Sequence, residues 1–134
     1  MAKCRTTSKN KIFVFEENRS KLVLNNINQI DSTKVKVDGC EINDAGIRCD
    51  FLHLIKDFEF YIELKGQDIE HAIAQIERTM KLLSADLKTI KKRSYIICTR
   101  SPLNSTAIQN HAFKFRKNYN SQLIVRTSPF TDRY

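Results

Sequence analysis

Asp50, Glu63 and Lys65 are spaced so that one short β-hairpin would bring all three to the same place. The segment RCDFLHLIKDFEFYIELKG, from Arg48 to Gly66, reads as the centre of two strands, Ile47 to Ile55 and Phe58 to Lys65. Both are rich in aromatic and branched residues, and polar Lys56-Asp57 separates them. A two-residue loop there sets Ile55 against Phe58, Asp50 against Glu63 and Arg48 against Lys65. Side chains alternate along a strand, so Arg48, Asp50, Glu63 and Lys65 share one face. The other face, Ile47, Cys49, Phe51, His53 and Ile55 with Phe58, Phe60, Ile62 and Leu64, is a core surface. A four-residue loop keeps the four polar residues together, and a three-residue loop separates them. Two carboxylates facing each other across a ladder repel, and a divalent cation between them would offset that repulsion. Magnesium or manganese suits the role: magnesium prefers oxygen ligands, uses one or two carboxylates and completes its shell with water and phosphate. Such an ion lowers the pKa of a bound water, which Lys65 would orient or deprotonate, as phosphodiester hydrolysis requires. A charge ladder on a solvated sheet face, balanced by Arg48 and Lys65, accounts for the same residues without a metal.

The elements around the hairpin follow from pattern. The polar, basic stretch of residues 1–11 reads as a flexible lead. Glu16 to Ile30 has Leu22, Val23, Ile27 and Ile30 near helical spacing, although its asparagines disfavour a helix. Lys34 to Ile42 reads as a strand bent at Asp38-Gly39, and Asn43 to Gly46 as a turn into the hairpin. After Gly66 the period changes. Asp68 is an N-cap, and Ile69, Ala72, Ile73, Ile76, Met80 and Leu83 form one apolar stripe of a helix. A basic link from Lys88 to Arg93 leads to Tyr95-Ile96-Ile97-Cys98, a buried strand. Ser101 to Ser105 is a loop. A second helix, Thr106 to Tyr119, buries Ile108, Ala112, Phe115 and Tyr119, and Gln122 to Arg126 is a last strand before a polar tail. This order predicts an α/β fold, a mixed central sheet flanked by helices.

Asp50 followed by Glu63-Leu64-Lys65, in a strand-turn-strand-helix context, resembles the PD-(D/E)XK nuclease superfamily over Lys34 to Thr99. The resemblance implies a restriction-endonuclease-like or junction-resolvase-like core. Asp50 and Glu63 would bind Mg2+ or Mn2+, and Lys65 would activate water. Cys49 stands where the motif has proline. Many members add a glutamate from a first helix, for which Glu17 or Glu16 is the nearby candidate, and some a glutamine on the following helix, where Gln75 sits.

Composition bounds the rest. With 134 residues, 41% of them hydrophobic, the chain suits one domain spanning 1–134. No apolar run approaches the roughly 18 residues of a membrane span, and no secretory apolar region follows the N-terminus, so a soluble cytoplasmic protein is expected. Cys4, Cys40, Cys49 and Cys98 lack C-x-x-C spacing and read as reduced thiols. His53 falls on the apolar face as a core histidine, and His71 and His111 have no partner spacing. The chain has no P-loop or dinucleotide-binding glycine pattern. A net charge of +8 points to a polyanion, DNA or RNA, with DNA the first choice. Every acid but Asp132 lies at or before Asp86, whereas Leu87 to Thr131 holds cations without a carboxylate. Lys88, Lys91, Lys92, Arg93, Lys114, Arg116 and Lys117 are therefore candidate nucleic-acid contacts, with Arg48 a candidate phosphate contact at the hairpin. So small a domain would take its target choice from nucleic-acid shape, a homodimer or a larger protein partner. The expected activity is a metal-dependent endonuclease. Its alternatives are an inactive nucleic-acid-binding or assembly protein on the same scaffold, or a basic protein-interaction module.

Overall fold

The computed structural model describes residues 3–17, 19–64, 68–100 and 105–134. The elements are β1 (Arg5–Ser8), β2 (Ile12–Glu17), β3 (Ser20–Asn25), β4 (Ser32–Lys36), β5 (Phe51–Ile55), β6 (Phe58–Leu64), α1 (Ile69–Leu83), β7 (Lys91–Cys98), α2 (Ser105–Tyr119), β8 (Ser121–Thr127) and β9 (Phe130–Arg133). A mixed six-stranded sheet runs in the order β1-β4-β5-β6-β7-β8, and a three-stranded sheet in the order β2-β3-β9. β4, β5 and β6 form an antiparallel meander, and β6, β7 and β8 are parallel. Each parallel step is bridged by a helix, because a parallel pair needs a long crossover.

Both faces of the large sheet are covered. Leu52, Tyr61, Ile96 and Val125 pack against Ile73, Ile76 and Met80 of α1 and Phe115 and Tyr119 of α2. Phe51, Phe60, Ile62, Leu64, Tyr95, Ile97 and Ile124 pack against Phe13, Phe15, Leu22 and Leu24 of the small sheet. The expected hairpin register holds from Ile55↔Phe58 to Phe51↔Ile62, and Asp57 turns the chain at φ 60°, a conformation aspartate tolerates. Asp68 caps α1 as expected, its side chain accepting the His71 N–H at 3.1 Å. No helix among the described residues is long and apolar enough to cross a membrane.

Five expectations are corrected. The expected helix from Glu16 to Ile30 is instead the end of β2 and the strand β3, whose alternate residues Phe13, Phe15, Leu22 and Leu24 are buried. A period of two thus wins where asparagines already disfavoured a helix. The flexible lead contains β1, which pairs with β4 from Arg5↔Val35 to Ser8↔Ser32. The polar tail forms β9, parallel to β3. The strand expected from Ile47 begins only at Phe51. Finally, Cys4 and Cys40 are joined in a disulfide with a Cα separation of 5.6 Å, while Cys49 and Cys98 are free and buried. The β1–β4 pairing makes the disulfide geometrically natural, since Lys36 N–H donates to the Cys4 carbonyl at 2.8 Å, just before the turn that carries Cys40.

Candidate active site

Asp50 and Glu63 lie at the end of the sheet where β5 begins and β6 finishes. The β5–β6 ladder ends at Phe51↔Ile62, so Asp50 just precedes β5 and Glu63 just follows the last β6 residue paired with β5. The Asp50 N–H donates to the Ile62 carbonyl at 3.1 Å, and its Oδ2 accepts the Leu64 N–H at 2.8 Å. The side chain is thereby fastened to the backbone next to Glu63. Glu63 alternates with Ile62 and Leu64, so it shares the helix-covered face with Tyr61. Only 4% of Asp50 and 1% of Glu63 is exposed. A charge ladder on a solvated face is therefore not what the hairpin forms. Burial, with smaller contributions from the negative charges of Glu63 and Asp50, pushes the Cys49 thiol up to about 12.

The approach to Asp50 is set by α1 rather than by the ladder. Arg78 donates to the Ile47 carbonyl at 2.7 Å and grips both oxygens of Asp44, at 3.2 and 2.8 Å. Gln75 Nε2 donates to the Arg48 carbonyl at 3.1 Å, and Thr79 Oγ1 accepts the Cys49 N–H at 2.9 Å. Three side chains within about one helical turn, at positions i, i+3 and i+4, thus hold three consecutive residues leading into Asp50. Those bonds draw residues 47–49 off the ladder towards α1, which places Cys49 in the helix-side core instead of beside Phe51. Arg78 and Thr79 escaped the sequence reading; their trace was the polar run beside the apolar stripe of α1.

The remaining expected site residues divide. Lys65 lies outside the described residues. Gln75 is near the site as a backbone anchor, 9% exposed. Glu17 ends β2 and is half-buried. The rings of Phe13 and Phe15 sit 4.6 Å from His53 and 5.5 Å from Phe51, so β2 runs opposite to β5 and Glu17 points towards the Asp50 end of the sheet. Arg48 lies in the loop before β5, where it pairs with Asp38 at 2.8 Å and donates to the Asp44 and Gly46 carbonyls, clamping that loop.

The basic residues also divide. Lys92 is 2% exposed, and its Nζ donates to the carbonyls of Asp86, Leu87, Ile90 and Tyr119 at 2.8–3.0 Å, so it ties the start of β7 to the loop before it and to the end of α2 and is no surface contact. Arg93 bonds Tyr95 and the Arg133 carbonyl, pairs with Asp132 at 3.5 Å and lies over Phe60. Lys88, Lys91, Lys114, Arg116 and Lys117 are exposed. Lys91 pairs with Phe58 while Glu63 pairs with Ile96, which puts Lys91 about 16 Å along the sheet from the carboxylates.

Among the described residues no group of three or more histidine, cysteine or carboxylate side chains is arranged to hold a metal ion. The site is a two-carboxylate one, at the carboxyl end of the parallel strands, where open α/β sheets bind ligands. No protein-family model, curated protein or solved structure matches this chain.

Proposed function

We propose that this protein is a nuclease that hydrolyses phosphodiester bonds, DNA first among its substrates, with Mg2+ or Mn2+ held by Asp50 and Glu63. The observation that carries the reading is the convergence of two buried carboxylates at one end of β6, with Asp50 fastened by the Leu64 N–H. The donor set fits such an ion: two hard oxygen ligands leave the rest of the shell to water and phosphate oxygens, as magnesium sites commonly do. The meander β4-β5-β6, followed by α1 and parallel β7, supports a restriction-endonuclease-like scaffold in the PD-(D/E)XK manner. It departs from that pattern before β4, where Glu17 sits on a strand and the described residues form no helix.

Each residue then has a task. Asp50 and Glu63 bind, with α1 fixing the backbone that delivers Asp50. Lys65 orients the attacking water or accepts its proton. The ion, when bound, supplies charge to the phosphate and acidifies water.

Labelled single-stranded, duplex and branched DNA, incubated with the wild type in magnesium or manganese, should be cut, and chelator should abolish cutting. Asp50→Asn and Glu63→Gln should each slow it by about 100-fold or more, a typical loss for a preorganised electrostatic group. Equal rates for wild type and Asp50→Asn, or no cleavage of any substrate by the wild type, would remove the enzyme reading.

A further inference from the structure

The outer face of α2 has a composition that the carboxylate site does not use. Three aromatic residues interleave with cations in this helix, and the structure separates them: Phe115 is 1% and Tyr119 7% exposed, whereas Phe113 is 68% exposed. The helix cannot turn to bury that ring. The Tyr119 hydroxyl donating to Glu77 at 2.6 Å and His111 against Glu70 fix it beside α1, and Phe115 and Tyr119 are buried in the core with residues of α1. The helical neighbours of Phe113, three and four residues away, are Gln109, Asn110, Arg116 and Lys117, all exposed. One flat ring thus stands among two amides and two cations, in a stretch with no carboxylate from Leu87 to Thr131.

We infer that this face binds single-stranded nucleic acid, with Phe113 stacking on an unpaired base while Arg116 and Lys117 take the flanking phosphates. Only a strand with unpaired bases offers a free π-face for the ring, because in a duplex those faces are already stacked. A protein partner fits less well, since a lone ring encircled by polar groups is not the contiguous apolar patch of a protein interface. The other exposed large hydrophobic residues lie off α2: Ile12 and Val14 on β2, Ile27, Ile30 and Ile47 in loops, and Leu82 in the last turn of α1. The inference stands apart from the carboxylate reading and needs no hydrolysis.

The test is anisotropy of a fluorescein-labelled mixed-sequence single strand, and of its duplex, titrated with the full chain in EDTA at several salt concentrations. Phe113→Ala should weaken single-strand binding by about fivefold to 100-fold, the range for loss of one base stack, and leave duplex binding and the salt slope unchanged. Phe113→Trp should retain binding. Arg116→Ala with Lys117→Ala should flatten the dependence of log K on log salt. The inference falls if Phe113→Ala binds the single strand as the wild type does, or weakens strand and duplex equally. It falls too if the wild type shows no salt-dependent binding, or if sedimentation shows that Phe113 drives self-association instead.

Discussion

His53 is sealed between Phe13, Phe15, Phe60 and Tyr134, fully buried, with Nε2 paired to the Tyr134 hydroxyl at 2.7 Å and no hydrogen-bond partner for Nδ1 among the described residues. Burial, with a smaller contribution from the charge of Lys34, lowers its pKa to about 4. The unfolded chain binds a proton at this residue below about 6.5, and the folded chain does so only near 4. Stability is therefore full above about 6.5 and lost as the pH falls towards 4. The gap amounts to about 3 kcal/mol at most. Urea unfolding at stepped pH should show this decline, and His53→Gln should flatten it by about one proton between pH 6.5 and 4. His53 illustrates what one residue's type and place in a pattern can tell, since its alternation in β5 already put it in the core. Lys92 illustrates the opposite. A lysine reads as solvated until its four carbonyl partners are assembled, and Asp86 and Tyr119 arrive from separate parts of the chain.

Elements with a local cause were legible in the sequence. The turn at Lys56-Asp57, the N-cap at Asp68 and the stripe of α1 each depend on residues a few positions apart, and all appear as expected. The approach to Asp50 was not legible, because residues 47–49 are positioned by side chains about 30 residues later in the sequence. Periodicity extends β5 back to Ile47, whereas Arg78, Gln75 and Thr79 draw that stretch away. Asp50 stays against the end of β6 all the same, its N–H on the Ile62 carbonyl and its Oδ2 on the Leu64 N–H. Thr79 offers a direct probe: Thr79→Val keeps the shape but leaves the buried Cys49 N–H without its acceptor. It should cost about 1–3 kcal/mol, read as a lower urea midpoint.

At the scale of the molecule, the Cys4–Cys40 disulfide ties β1 to the turn after β4, enclosing a loop with a sequence separation of 36. Reduction should lower the unfolding free energy by about 3–4 kcal/mol on the chain-entropy account. Cys4→Ser should match the reduced wild type and not respond to reductant in urea unfolding; equal stability of oxidised and reduced wild type would contradict the role. The clamp bears on the site, because Val37 and Asp38, within that loop, donate their N–H groups to the Asp50 carbonyl. The topology of the small sheet reaches further. β3 pairs with β9, Leu22 opposite Phe130, so an early hairpin acquires its third strand from near the end of the chain. Phe13, Phe15, Leu22 and Leu24 of the β2–β3 hairpin are covered by residues that follow them in sequence, Phe51, Phe60, Ile62 and Leu64 first and Tyr95, Ile97 and Ile124 after. Until those strands join it, the hairpin presents an uncovered apolar face that a chaperone or a second chain can capture.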